Sequence, residues 1–197
     1  MAATDGSERF PATGGRVTGI AILAMSAGVL VLAVAERDEP WSLSLGLAAL
    51  TFAGIAWASM LRPALSVDGD RLVMRGMVGT VEVPLAAIEQ VAVRQVLAVR
   101  AGEKRYVSPV VSKSRRRLTR AERVRGAERP VQGEVSYADF VEERILHLAE
   151  QARSERGVAL LSDEQLALGR DVRRAWAWPV VAAVTVPLVL FVLSVLL

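Results

Sequence analysis

The chain has no cysteine and no asparagine, a single histidine, His147, and only two lysines, Lys104 and Lys113. Without cysteine there is no disulfide, no thiol nucleophile and no thiolate metal site, and nothing marks a redox compartment. One histidine cannot form a histidine cluster. Arginine supplies the other 22 of the 24 basic residues, and Ala, Val and Gly are also abundant. That bias fits GC-rich coding, so an arginine here is not by itself a sign of ligand binding.

Enzyme signatures are missing as well. No glycine-rich loop has the Walker spacing, no dinucleotide fingerprint follows a strand, and no Gly-x-Ser-x-Gly elbow or Ser-x-x-Lys pair occurs. His147 lies between Leu146 and Leu148 in a helical pattern, which favours a structural role. Glu142 and Glu143 are neighbours on that helix, so their side chains diverge and read as its solvated face. Asp68 and Asp70 belong to a turn rather than to a metal site. No catalytic, cofactor-binding or metal-ligating residue is assigned, and no cofactor is expected.

What the sequence has in excess is apolar residues: 52% of 197, with a mean hydropathy of +0.35, too apolar for an ordinary soluble fold. The excess sits in three runs. Residues 17–35 carry no charge and as a helix rise about 28 Å, close to the ~30 Å of a bilayer's hydrocarbon core. A second uncharged run covers 41–61, opened by Trp41 as an interfacial anchor. Five connecting residues force a helical hairpin. The third run is 175–197, with Trp176 and Trp178 directly after Arg173 and Arg174. Within it Pro187 frees a carbonyl that lipid cannot satisfy, so a bend or a neighbouring helix is expected there.

Arginines set the direction. Arg9 and Arg16 precede the first span, Arg62 follows the second, and Arg170, Arg173 and Arg174 precede the third, which places all of these ends in the cytoplasm. The loop 36–40 on the far side has three acids and one base. The expected location is the cell membrane, multi-pass, with the N-terminus and central domain cytoplasmic and the C-terminus outside. A competing reading makes residues 1–35 a signal peptide cleaved after Ala33-Val34-Ala35, although the apolar run exceeds the ~7 to 15 residues usual for such a segment. In both readings the second span returns the chain to the cytoplasm.

Small residues recur four apart at Ala24 and Gly28, Ser42 and Gly46, Ala49 and Ala53, and Gly54 and Ala58. This spacing lets helices approach closely, although an alanine-rich span also produces such pairs by chance. The third run, bulky from Val184 onward, reads as lipid-facing.

Between the second and third spans the pattern changes to short strands. Residues 64–67 and 71–75 flank Asp68-Gly69-Asp70, a hairpin signal. Strand 81–83 ends at Pro84, and 85–90 reads as a turn of helix or loop with Ile88 inward. A long strand 91–100, broken near Gln95, is followed by a turn at Ala101-Gly102-Glu103-Lys104 and a fifth strand, 105–107. Five short strands need a cover. Residues 137–156 supply it as a helix with Ser136 as N-cap, Gly157 as stop and an inward stripe of Phe140, Val141, Ile145, Leu148 and Ala152.

The runs LSVDGDRLVMRGMVGTVEVPLAAIEQVAV, KRYVSPVVSKSRRRL and SYADFVEERILHLAEQARSERG resemble a group of actinobacterial integral membrane proteins with a bacterial pleckstrin-homology (PH)-like domain. The resemblance extends over roughly residues 17–197 and rests on pattern, not on a catalytic signature. It implies an α+β membrane protein: three transmembrane helices plus a small antiparallel β PH-like domain with a covering helix. Five strands are legible where that domain usually has seven. The expected layout is an N-terminal cytoplasmic tail 1–16, a transmembrane hairpin 17–61, the β domain 62–111, a basic linker 112–134, the covering helix 135–157, a connector helix 158–174 and the third span 175–197.

The linker carries eight bases against three acids. Lys113, Arg115, Arg116, Arg117, Arg120, Arg123 and Arg125 are its candidate lipid or partner contacts. Near a membrane a polybasic stretch gains about 1 kcal/mol per basic residue, a ceiling of about 5 kcal/mol for its net charge. Three spans already fix the location, so the attraction could only orient or gate the domain. A solvated linker is the plainer reading. No aromatic residue interleaves with the arginines, which argues against nucleic acid. Ser108, Ser112, Ser114 and Thr119 lie in or beside this run, where phosphorylation would cancel charge. The expected function is a non-enzymatic module that contacts a protein partner or anionic lipid head groups from the membrane. The alternative is an accessory subunit assembled through the hairpin.

Overall fold

The structure is a computed structural model and describes residues 7–111 and 137–196. In chain order the elements are β1 (Glu8–Phe10), α1 (Arg16–Ala35), α2 (Ser42–Ala56) with a π turn at Trp57–Leu61, β2 (Ala64–Asp68), β3 (Arg71–Arg75), β4 (Gly79–Pro84), a 3-10 turn at Leu85–Ala87, β5 (Ile88–Val93), β6 (Leu97–Ala101), β7 (Lys104–Ser108), α3 (Tyr137–Arg156), α4 (Asp163–Leu168), β8 (Arg173–Trp176) and α5 (Trp178–Leu196). They divide into two compact units.

The helical unit contains α1, α2 and α5, each long and apolar enough to cross a membrane. The first two match the expected spans closely. The third is shorter than expected, because Ala175 and Trp176 lie in β8 and the helix starts at Trp178. Close packing in the hairpin follows a seven-residue spacing on α1, where Gly19, Ser26 and Ala33 are buried. A Cβ on Gly19 would overlap Leu61 Cδ1 and lie 2.9 Å from Met60 Cβ, so no larger residue fits without movement. On α2 the buried set includes Ser42, Gly46 and Ala49. The expected pair Ala24 and Gly28 is exposed instead, with nothing within 4 Å of a Cβ on Gly28. Helix α5 meets α2 at Gly54, whose Cβ would lie 3.3 Å from Val184 Cγ2 and 3.4 Å from the Ala183 carbonyl oxygen. That carbonyl is the one Pro187 deprives of its donor four residues on. The neighbouring helix expected at Pro187 is therefore α2, approaching through its glycine. Higher up, the Ser44 and Ser194 hydroxyls are 3.0 Å apart.

The other unit holds most of a sheet of order β1-β2-β3-β4-β8, of which residues 79–80 and 175–176 fall in the helical unit, and a second sheet of order β5-β6-β7. Among the described residues there are eight strands where five are legible in sequence. The stretch 91–100 is two strands, β5 and β6, paired antiparallel through a turn at 94–96. Residues 8–10, expected as tail, pair antiparallel with β2, and 173–176, expected in helix, form β8. Hairpins β2–β3 and β6–β7 share one turn design: two residues with Gly first, Gly69 at φ 56° and Gly102 at φ 60°. Glycine at that position matches the strand twist. The chain beyond β1 is joined to the chain beyond β7 by Thr13, whose N–H and hydroxyl donate to the Val110 carbonyl at 3.0 and 3.4 Å.

Leu65, Leu72, Val83, Ile88, Leu97 and Val99 from the strands and Val141 and Ile145 from α3 form one core. The stripe on α3 differs from expectation. Ala138 and Ala149 are buried and Phe140 is 49% exposed, stacked on Tyr137 at 6.5 Å. The buried set 138, 141, 145, 149 follows the three-and-four spacing of a single helix face, which position 140 does not share. Gly157, at φ 65°, ends the helix as expected.

Ile145 is fully buried, so in the detergent-solubilised chain Ile145→Ala should lower stability by about 2 to 5 kcal/mol, whereas Phe140→Ala should change it by about 0.5 kcal/mol or less. Thermal unfolding followed by circular dichroism distinguishes the two. Equal effects would mean that α3 turns a different face, one including Phe140, to the core.

Candidate functional site

The seven expected contacts Lys113, Arg115, Arg116, Arg117, Arg120, Arg123 and Arg125 lie outside the described residues, as do Ser112, Ser114, Thr119 and the N-cap Ser136. Ser108 is described and is only 3% exposed, so a kinase could reach it only if β7 detached. The described residues that converge on a cleft come from β7, β8 and the segment around α4.

The segment expected as one connector helix, 158–174, is a turn, a short helix and a strand. Its helix α4 is held by Gln165, which has no exposed surface. The Gln165 amide nitrogen donates to the Ala86 and Ile88 carbonyls, both at 3.2 Å, and its carbonyl oxygen accepts from Leu161 N–H at 2.6 Å. Every hydrogen-bonding group of a buried amide needs a partner, and here one side chain joins α4 to the 3-10 turn and to β5. Leu161 takes φ 61°, a strained value for a branched residue, and the Gln165 oxygen fixes that backbone. Ser162 caps α4, its hydroxyl accepting from Gln165 N–H at 3.2 Å.

The far end of α4 meets the β6–β7 turn backbone to backbone. A Cβ on Gly169 would stand 3.1 Å from Gly102 N and 3.2 Å from Gly102 Cα. The two glycines let the chains approach closely enough to form one wall of a cleft. This cleft, of 620 Å³, is lined by Glu103, Lys104 and Tyr106 on the β6–β7 side and by Leu166, Arg170, Val172 and Arg174 on the other. The Arg174 guanidinium carbon lies 5.2 Å from the centre of the buried Tyr106 ring, a cation–π contact that orients it. Lys104 and Arg170 are exposed. Three bases thus face one acid.

Other arginines of this unit are already committed. Arg144 forks onto both Glu8 carboxylate oxygens at 3.1 Å, tying β1 to α3. Arg153 donates to the Ile88 carbonyl at 2.8 Å, and Arg156 pairs with Asp70. Arg71, mostly buried, bonds the Asp171 carboxylate and carbonyl. Glu142, expected on a solvated face, accepts from Val93 N–H at 2.9 Å. Among the described residues Lys104, Arg170 and Arg174 make no ion pair, and no group of His, Asp and Glu is arranged to hold a metal. Neither Arg170 nor Arg174 stood out in sequence beyond its use for orientation. The usable signal was Lys104, a lysine kept where the coding bias favours arginine, beside a glycine turn.

Comparison with protein-family models, curated proteins and solved structures finds no match to this chain. The geometry alone carries the functional reading. A cleft with excess positive charge, one oriented guanidinium and a glycine-tight wall is suited to binding an anion.

Two outcomes test this construction. Gln165→Leu strands the Leu161 amide and the Ala86 carbonyl, and should lower stability by about 2 to 4 kcal/mol, since each buried unsatisfied group costs about 1 to 3 kcal/mol. The second concerns pH. The bond from Arg71 holds the Asp171 carboxyl below its ordinary range, so the tie is intact at neutral pH and is lost as pH falls through that lowered value. Amide protection in 170–174, measured relative to the intrinsic exchange rate at each pH, should fall on acidification below the ordinary carboxylate range, and Asp171→Asn should remove that dependence.

Proposed function

We propose that the chain is a membrane-anchored, non-enzymatic binding module, with a PH-like domain held at the cytoplasmic face to contact a protein partner or anionic lipid head groups. One observation carries this reading. Strands β1, β2 and β8 adjoin the three apolar helices with five, two and one intervening residues. These short connections in the chain support a common side of the membrane for the three helix ends. The basic residues Arg9, Arg16, Arg62, Arg170, Arg173 and Arg174 cluster at those ends, which supports the cytoplasmic side. Two sheets around one core, closed by α3, support the PH-like reading. The basic cleft offers a surface for recognition, and the linker contacts Lys113 to Arg125 extend the same charge along the sequence.

A second reading has an observation of its own. Among the described residues nothing covers the Ala24 and Gly28 face of α1, which suits an accessory subunit that packs against a helix of another membrane protein.

The absence of native cysteine makes both readings testable by single substitutions. In intact cells Asp38→Cys should react with a membrane-impermeant maleimide and Asp163→Cys only after permeabilisation. The reverse pattern would overturn the cytoplasmic placement. Under the accessory reading, Gly28→Leu should deplete a stoichiometric partner from detergent pull-downs without lowering the melting temperature.

A further inference from the structure

The cleft beside Tyr106 has more definition than a generic basic surface, and we infer that it binds the phosphoryl group of a hydroxyl-bearing phosphate ester. The inference rests on the binding-module reading and specifies its ligand. Lys104, Arg170 and Arg174 are donors with no acceptor capacity, and none is consumed by a carboxylate among the described residues. A single carboxylate is matched by one guanidinium fork. Two guanidiniums and an ammonium around one cavity match a group with three acceptor oxygens and up to two charges. Arg174 is oriented beforehand on the Tyr106 ring, so less side-chain freedom is lost on binding.

The cavity is larger than a bare phosphate ion requires. At 620 Å³ it falls in the range of small-molecule sites, which leaves room for the alcohol that carries the phosphate. Leu166 and Val172 provide apolar contact for that part. Glu103, the single acid, repels a second anionic group and offers an acceptor to a hydroxyl. The Gly102–Gly169 approach fixes the distance between the two walls, so the site exists before ligand arrives.

Two sources present this chemistry, a soluble phosphate ester and a phospholipid head group. The test uses the full chain in phosphatidylcholine nanodiscs, with glycerol 3-phosphate as the soluble probe and phosphatidylglycerol, added to the discs, as the lipid probe. Calorimetry reads the first and lipid retention in native mass spectrometry the second. The variants are Lys104→Gln with Arg170→Gln and Arg174→Gln, and the charge-matched control Arg75→Gln with Arg94→Gln and Arg105→Gln, three exposed residues outside the cleft lining. Saturable binding of either probe, weakened roughly tenfold or more in the triple variant and unchanged in the control, supports the inference, and the probe that binds identifies the source. Equal losses in triple variant and control would reduce the effect to net charge and overturn it, as would no binding of either probe. The melting temperature of the triple variant reports its folding. If it falls by several degrees, the single variant Arg170→Gln, at an exposed residue, serves instead, and it must weaken saturable binding while the control does not. A partner recovered from native membranes by a chain that binds neither probe would leave the module reading standing and this one refuted.

Discussion

Two backbone ladders, β1 on β2 and β8 beside β4, constrain everything else in this protein. They draw the segments before the first and third apolar helices into the same sheet as the segments that follow the second. A sheet register is discrete, since a one-residue slip turns every side chain to the other face. Phe10 is buried against the core only in the observed register, opposite Leu65. Strands that adjoin apolar helices so closely also restrict where each helix can begin. The third helix starts at Trp178 because the two residues before Ala177 are already committed to β8.

Long-range side-chain ties reinforce those ladders where the strands are shortest. β1 has three residues, too few to hold by itself, and it is clamped from α3 by the Arg144 fork on Glu8 and by the Tyr137 hydroxyl, which donates to the Pro11 carbonyl at 3.1 Å. β8 is exposed along its whole length and is preceded by Asp171, which Arg71 holds. In both cases an arginine supplies what apolar burial does not. A fragment spanning only 62–157 would lack β1, α4 and β8, and with them Phe10, the Gln165 bonds and one side of the basic cleft. The folding unit is discontinuous in sequence, so the intact chain is the appropriate object for binding measurements.

The sequence disclosed the parts whose signal is local. Charge-free runs gave the apolar helices to within a few residues, and Gly69 and Gly102 marked two hairpins, because a left-handed turn residue has few alternatives. What stayed hidden depends on distant partners. Glu8–Phe10 and Arg173–Trp176 carry no alternation, and they are strands only because β2 and β4 present open edges. The β5–β6 turn, Arg94-Gln95-Val96, contains neither glycine nor proline, so two strands read as one. Phe140 seemed a core residue by its chemistry, yet the helix face is decided by the smaller Ala138 and Ala149, which let α3 lie close to the sheets. Gln165 gave no signal at all, since a buried amide is recognisable only from the carbonyls it meets. The basic linker, the most conspicuous feature of the sequence, lies outside the described residues.

In an arginine-rich chain the count of arginines says little, and their employment says more. Arg71, Arg144, Arg153 and Arg156 are tied to carboxylates or carbonyls, so their charge is largely used in holding the fold. A coding bias would scatter the remainder over the surface without regard to shape. Lys104, Arg170 and Arg174 instead converge on one cavity whose wall requires two glycines in contact, and one of them rests on the ring of a buried tyrosine. Three bases facing the single acid Glu103 leave this cleft with an excess of positive charge, which burying Tyr106 and Leu97 does not require. An anion is the ligand that this excess charge would attract.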